Sequence, residues 1–221
     1  MLRKNVGEYS TPGADKLLTF FLPNLEGGGA ERAIVQLANG IASRGVMVDL
    51  VLGKAVGQYR AEVSSLVRVI DLSASGKFST IVRLCRYIQR KNPAVLMSSM
   101  DLPNIQMIIA ANLVGYKGRK VISQRAVIAA VYDAENWLTR VTYRLAVRLT
   151  YPLASAIVSN SFFAKAEILA IPFIDERHVY TIHNSVDADR VRLLSKVALE
   201  DDWIGATADP LIISVGSFLD P

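Results

Sequence analysis

The sequence predicts an α/β chain built on a doubly wound parallel sheet. Two observations carry that prediction. Short continuous apolar runs alternate along the chain with longer stretches whose apolar residues recur at i, i+3, i+4 and i+7. The first such pair is joined by three glycines, Gly27–Gly29. Uninterrupted apolar strands are buried on both faces, which suits a parallel sheet sandwiched between helices.

In chain order, residues 1–15 form a polar tail. Lys16–Pro23 reads as a strand, Gly27–Gly29 as a turn, and Ala30–Arg44 as a helix carrying Ile34, Leu37, Ala38 and Ile41 on one face. Gly45 stops that helix, and Val46–Leu52 is the second strand. The unit has the length of a right-handed parallel crossover. Further strands fall at Val67–Asp71, Ala94–Ser98, Lys120–Gln124, Ala156–Ser159 and His178–Ile182. The helices between them are Ser79–Lys91, Pro103–Leu113 with proline in its first turn, Asn136–Tyr151 stopped by Pro152, and Ser161–Ala170. Residues 16–199 thus make one domain. Glu200–Pro210 is a polar linker, and Leu211–Val215 opens a fresh strand in a final segment, residues 211–221.

Composition bounds the function. With 221 residues, 51% hydrophobic and 20% charged, the chain can bury a core. A net charge of +5 attracts phosphates or anionic headgroups, but there is no dense Lys/Arg run interleaved with aromatics, so nucleic acid is not an expected partner. The single cysteine, Cys85, permits no internal disulfide and favours a reducing compartment. No apolar signal segment precedes the first strand. The longest uncharged stretches, Leu102–Tyr116 and Leu149–Ala164, fall short of the ~20 residues of a membrane span. The two histidines and one cysteine lie far apart, so no metal site is expected.

Glycines between a strand and a helix let the backbone approach a ligand, and the helix start offers free N–H groups to an anion. The dinucleotide fingerprint fails because Arg32 stands where its last glycine belongs, and Gly76-Lys77-Phe78-Ser79 is broken as a phosphate loop by Phe78. A plain tight connection and a ligand-facing turn both stay open, with Glu31 complementing the helix dipole in either case.

The stretch Phe20–Leu50, FFLPNLEGGGAERAIVQLANGIASRGVMVDL, resembles the opening of the group-1 (family 4) glycosyltransferases of GT-B architecture, with their G-G-A-E-R box. AIVSNS at Ala156–Ser161, IHNSVD at Ile182–Asp187 and LIISVG at Leu211–Gly216 are similar to later stretches of that family. The resemblance covers nearly the whole chain. It implies a Rossmann-like lobe that contacts the acceptor, paired with a second lobe that grips the donor. The expected protein is the N-terminal half of a retaining glycosyltransferase, moving sugar from a nucleotide-sugar donor to a glycan or lipid-linked acceptor in polysaccharide or cell-envelope synthesis. It would act in the cytoplasm or at the inner face of the membrane, with no cofactor or metal. The donor-binding E-x7-E pair belongs to the second lobe, and Ser217 stands where the diphosphate-binding arginine is usual, so the expectation is a piece inactive alone. The alternative is a non-catalytic module binding a glycan or lipid carrier, or the acceptor subunit of a split enzyme.

The resemblance nominates no catalytic residue. It places Gly28, Gly29, Glu31, Arg125 and Asn184 at the donor/acceptor cleft. Arg125 follows a parallel strand, where open α/β sheets bind ligands, and suits an acidic acceptor or lipid diphosphate; a solvated loop arginine is the competing reading. Many family members carry histidine here, where this chain has Ser123-Gln124-Arg125. Asn184 is expected to fix a turn through its side chain, and His183 beside it to have no catalytic part. His178 is read as an exposed residue at a strand entrance.

Arg140, Arg144 and Arg148 line one helix face beside an apolar stripe of Leu138, Val141, Leu145 and Leu149. Arg83, Arg86 and Arg90 form a second basic row. Each suits an ordinary amphipathic helix with a solvated basic face. Together they raise contact with an anionic membrane surface.

Overall fold

A computed structural model describes residues 16–26, 28–125, 136–184, 186 and 188–197. The polar tail, the proposed linker and the strand at Leu211–Val215 lie outside the described residues.

The first unit, Met1–Asn184, holds a seven-stranded parallel sheet in the order β3-β2-β1-β4-β5-β6-β7. The strands are β1 (Leu18–Leu22), β2 (Val48–Leu52), β3 (Val67–Asp71), β4 (Val95–Ser99), β5 (Arg119–Gln124), β6 (Ala156–Ser159) and β7 (Val179–Thr181). Between them run α1 (Gly29–Ala42), α2 (Lys77–Lys91), α3 (Asp101–Leu113), α4 (Trp137–Thr150) and α5 (Phe162–Leu169). The predicted α/β doubly wound fold is the observed one. All twelve of these predicted strands and helices are present, with ends displaced by at most two residues.

Four elements among the described residues escaped the sequence reading, two of them 3-10 turns at Tyr151–Leu153 and Glu176–His178. A third 3-10 turn at Gln58–Glu62 follows β2. In the second unit, Ser185–Pro221, a short helix α6 spans Ala188–Leu194. Its seven residues, ADRVRLL, are too few to show a helical period.

Period-two alternation along β1 divides the core. Phe20 and Leu22 point to the side packed by Ile34, Val35 and Ala38 of α1. Phe21 points to the other side, with Leu84 and Ile88 of α2 and Met107 and Ile108 of α3. All five residues of β2 are buried, as a central parallel strand requires. Gly45 ends α1 with φ +80°, and Asn92 ends α2 in the left-handed conformation at φ 40°, its N–H donating to Ile88 O.

Helix α4 departs from expectation. Its core side is Tyr143, Ala146, Val147 and Thr150, whereas Leu138, Val141, Leu145 and Leu149 are 53–61% exposed. The expected solvated face is therefore the apolar one. Arg144 and Arg148 are exposed at its flank, while Arg140 is partly buried and its Nε has no hydrogen-bond partner among the described residues. The turn Gly76–Ser79 is a helix cap: Ser79 Oγ accepts from the Gly76 N–H at 3.0 Å and donates to Gly76 O at 2.9 Å.

Candidate functional site

Because every strand runs the same way, all the loops that follow strands emerge at one edge. The strand order reverses direction between β1 and β4, so the loops after these two strands diverge and open a crevice there.

The loop after β1 is held from below by Gly57. Leu25 N–H donates to Val56 O at 2.9 Å, and Tyr59 N–H donates to Leu25 O at 3.3 Å. Gly57 sits at φ +118°, and a Cβ there would overlap the Leu25 backbone. At the start of α1, Gly28 has extended backbone and no side-chain cap. The buried Glu31 carboxylate folds back over it, with Oε2 2.5 Å from where a Gly28 Cβ would sit. Gly29 has open space around the same position, so packing does not demand glycine there.

The loop after β4 turns on Met100, a non-glycine residue at φ +74° whose N–H donates to Ser123 O at 3.2 Å. Such a conformation costs about 1–3 kcal/mol and is found where a site is held in place. It delivers Asp101 and Asn104 into a buried polar network. Gln124 Nε2 donates to Asp101 Oδ1 at 2.6 Å, the Tyr151 hydroxyl donates to Gln124 Oε1 at 2.7 Å, and Ser98 Oγ donates to Asn104 Oδ1 at 2.7 Å. Asn104 Nδ2 donates to Ser123 O at 3.1 Å. Burial pushes the Asp101 carboxyl above the ordinary carboxylate value, against the opposing pull of Gln124 and Tyr151.

Arg125 leaves β5 at the next position and is half-buried. Its Nε donates to Ser99 Oγ at 3.1 Å and its Nη1 to Asn184 Oδ1 at 2.7 Å. Its carbonyl accepts from Asn160 Nδ2 at 3.1 Å, and the Asn160 carbonyl meets His183 Nδ1 at 3.0 Å. His183 stacks edge-on against Phe162, with centroids 5.6 Å apart. Burial pushes the Arg125 pKa down, and no carboxylate among the described residues pairs with it.

Of the residues singled out from sequence, Arg125 and Asn184 are thus in direct contact, 59 positions apart in the chain. The solvated-loop reading of Arg125 does not hold, because two side chains fix its guanidinium. Asn184 spends its side-chain oxygen on Arg125. Gly28, Gly29 and Glu31 stand at the same edge, at the start of α1. Arg140, Arg144 and Arg148 belong to α4. Ser99, Asp101, Gln124, Tyr151 and Asn160 were missed. Their signal was available: β4, β5 and the segment through β6 end in polar pairs, Ser98-Ser99, Ser123-Gln124 and Ser159-Asn160, directly after apolar residues.

The larger of two cavities, about 790 Å3, lies at the opposite edge, lined by Lys16, Arg68, Lys91 and Lys117 among others. A smaller one of about 240 Å3 adjoins the loops after β1–β3, between Asn24, Lys54, Lys77 and Gln106. Size favours the first. The carboxyl edge nevertheless carries the strained turn, the buried polar network and a cation with no carboxylate partner among the described residues, features that position chemistry rather than merely enclose space.

Residues 27–190 match the family model for Glycosyltransferase Family 4. The chain belongs to that family. No curated protein matches this family 4 chain by sequence. Among solved structures it is similar to a glycosyltransferase from Rickettsia africae, with 17% identity and a TM-score of 0.59 over 84% of this chain and 47% of that one. It is also similar to HepE of Anabaena in complex with UDP-glucose, at 14% identity and TM-score 0.58 over 82% of this chain and 49% of the other. UDP-GlcNAc 2-epimerase from Neisseria meningitidis bound to UDP-GlcNAc matches at 15% identity and TM-score 0.55, covering 81% and 50%. At these identities the likeness is one of fold. The chain spans about half the length of the structures it matches. Among the described residues no helix is long and apolar enough to cross a membrane.

Proposed function

We propose that this chain is the acceptor-side lobe of a nucleotide-sugar-dependent, retaining glycosyltransferase, working on a glycan or lipid-linked acceptor in polysaccharide or cell-envelope synthesis. The observation that carries the reading is the constructed carboxyl edge of the sheet in a family 4 chain: Gly28 at the start of α1 on one side of the crevice, and Arg125 clamped by Ser99 and Asn184 beyond the other. Such an edge positions a substrate and presents donors to negative charge, which is how catalysis proceeds without a covalent enzyme nucleophile. On this reading the donor diphosphate is gripped by a second lobe, metal is not required, and the chain alone does not turn over.

Calorimetric titration of UDP-glucose and GDP-mannose separates the possibilities. The chain alone is expected to bind them weakly, and a version extended through a donor lobe to bind them and transfer sugar. Micromolar binding with turnover by the chain alone would contradict the reading.

An anionic bilayer is the second partner we infer, in keeping with a cytoplasmic protein at the inner membrane face. Trp137, Leu138, Val141, Leu145 and Leu149 form an exposed apolar strip on α4, flanked by exposed Arg144 and Arg148. An apolar face with arginines along its border suits a helix lying in the headgroup region of anionic lipid.

A further inference from the structure

We propose that Arg125 is the receptor for an oxyanion, a phosphate or carboxylate group carried by the acceptor. The inference rests on the acceptor-lobe reading and names the substrate chemistry of that site.

A guanidinium offers five N–H donors in a planar fork. Arg125 uses two of them, one on Ser99 and one on Asn184, and the other three have no partner among the described residues. Both acceptors are neutral. A half-buried cation with no countercharge among the described residues has lost hydration and gained no ion pair from them in return, a condition that an incoming anion relieves. The chain does build the paired alternative elsewhere. Arg68 is more than half exposed, yet it has a bidentate carboxylate in Asp49, at 2.7 Å to each oxygen.

Placement agrees with this. Ser99 and Asn184 hold the Nε and Nη1 sides, so the plane of the fork is set before any ligand arrives. A preset fork matches the paired oxygens of a phosphate or carboxylate and discriminates against a neutral hydroxyl. The site lies at the carboxyl end of β5, on the edge where open α/β sheets take their ligands. Asn160, bonded to the Arg125 carbonyl, ties this corner to the start of α5 and through His183 to the chain after β7.

The test is a chemical-shift titration of the isotopically labelled chain with inorganic pyrophosphate, methyl phosphate and methyl glucuronate, with methyl glucoside as the neutral reference. Saturable shifts are expected at Ser99, Arg125, Asn160 and Asn184 with at least one of the anions and not with the glucoside. Preference for the phosphates points to a lipid-linked or phosphorylated acceptor, and preference for glucuronate to an acidic sugar. Arg125→Gln is expected to weaken binding about 10- to 100-fold, as loss of a charge-assisted pair does, and Arg125→Lys to weaken it less. Native shift dispersion of both variants shows that they fold. The proposal is overturned if the folded chain binds none of the anions, if Arg125→Gln binds them as well as the wild type, or if the shifts map to the Gly28 loop or to the lysines of the opposite edge. Absence of sugar transfer by a two-lobe protein would remove the transferase reading while leaving an Arg125-dependent anion site standing.

Discussion

Two arginines on opposite sides of one sheet are treated in opposite ways. On the β1–β3 side, Arg68 reaches Asp49 with both arms of its fork. Asp49 is 2% exposed in its side chain and also accepts from the Tyr87 hydroxyl at 2.6 Å, while Tyr87 is bonded in turn to Thr19 at 2.8 Å. Burial and the Asp49 carboxylate together push the Tyr87 hydroxyl pKa upward. The set links β1, β2, β3 and α2, and its charges cancel. On the β5–β7 side, Arg125 is more enclosed than Arg68 but has only neutral side-chain partners among the described residues. The first arrangement is finished by the chain itself. The second has no countercharge among the described residues, and on the proposal above an incoming anion supplies it. The difference teaches how to separate a polar cluster that holds the fold from one that waits for a ligand: count the charge, not the hydrogen bonds.

The largest expected effect comes from breaking the finished set. Asp49→Ala strands the Arg68 charge and the buried Tyr87 hydroxyl, and should lower the unfolding free energy by about 3 kcal/mol in urea titrations. Arg125→Gln should lower it by less than about 1 kcal/mol, since among the described residues no buried carboxylate is left behind. A reversal of that order would mean that Arg125 serves the fold.

The α4 strip should show an effect of intermediate size. Arg144→Gln combined with Arg148→Gln is expected to reduce binding to vesicles containing anionic lipid by about 2 kcal/mol, roughly thirtyfold, and Leu145→Ser to reduce it further. Co-sedimentation is the measurement. Equal binding to neutral and anionic vesicles would count against a charge-guided surface.

Asp101 should give the smallest effect, visible only against pH. Burial raises its folded value above the ordinary 3.8, so the folded protein holds that proton more tightly than the unfolded chain does. Its contribution to stability is full below about pH 4 and is lost as pH rises through the raised folded value. Asp101→Asn removes this dependence while keeping an oxygen for Gln124. The melting temperature of the variant minus that of the wild type should therefore grow from pH 4 to pH 7. A constant difference would place Asp101 outside the buried network.

Most of the sheet was legible because its signal is local. The continuous apolar runs and the period of α1, Ile34 through Ile41, mark their elements without any tertiary information. The site was legible only in part. Arg125 and Asn184 could be named because each follows a strand in a recognisable stretch, but their contact spans 59 positions and follows from strand order. The sequence shows a helix after β4 from Pro103, but not that it opens at Asp101, nor that Met100 takes a positive φ and turns Asp101 inward toward Gln124. Helix α4 misled for a related reason. Leu138, Val141, Leu145 and Leu149 form a sound helical stripe, and hydrophobicity alone sends a stripe inward. The core took Val147 and Tyr143 instead, on the side where the helix packs against α3.

The two arginines can be set against each other in one thermal-shift measurement. The chain, Arg68→Gln and Arg125→Gln are each melted with and without saturating inorganic pyrophosphate. The account predicts that pyrophosphate raises the melting temperature of the wild type and of Arg68→Gln by similar amounts and leaves Arg125→Gln unmoved. An undiminished rise in Arg125→Gln, or its loss in Arg68→Gln alone, would contradict it.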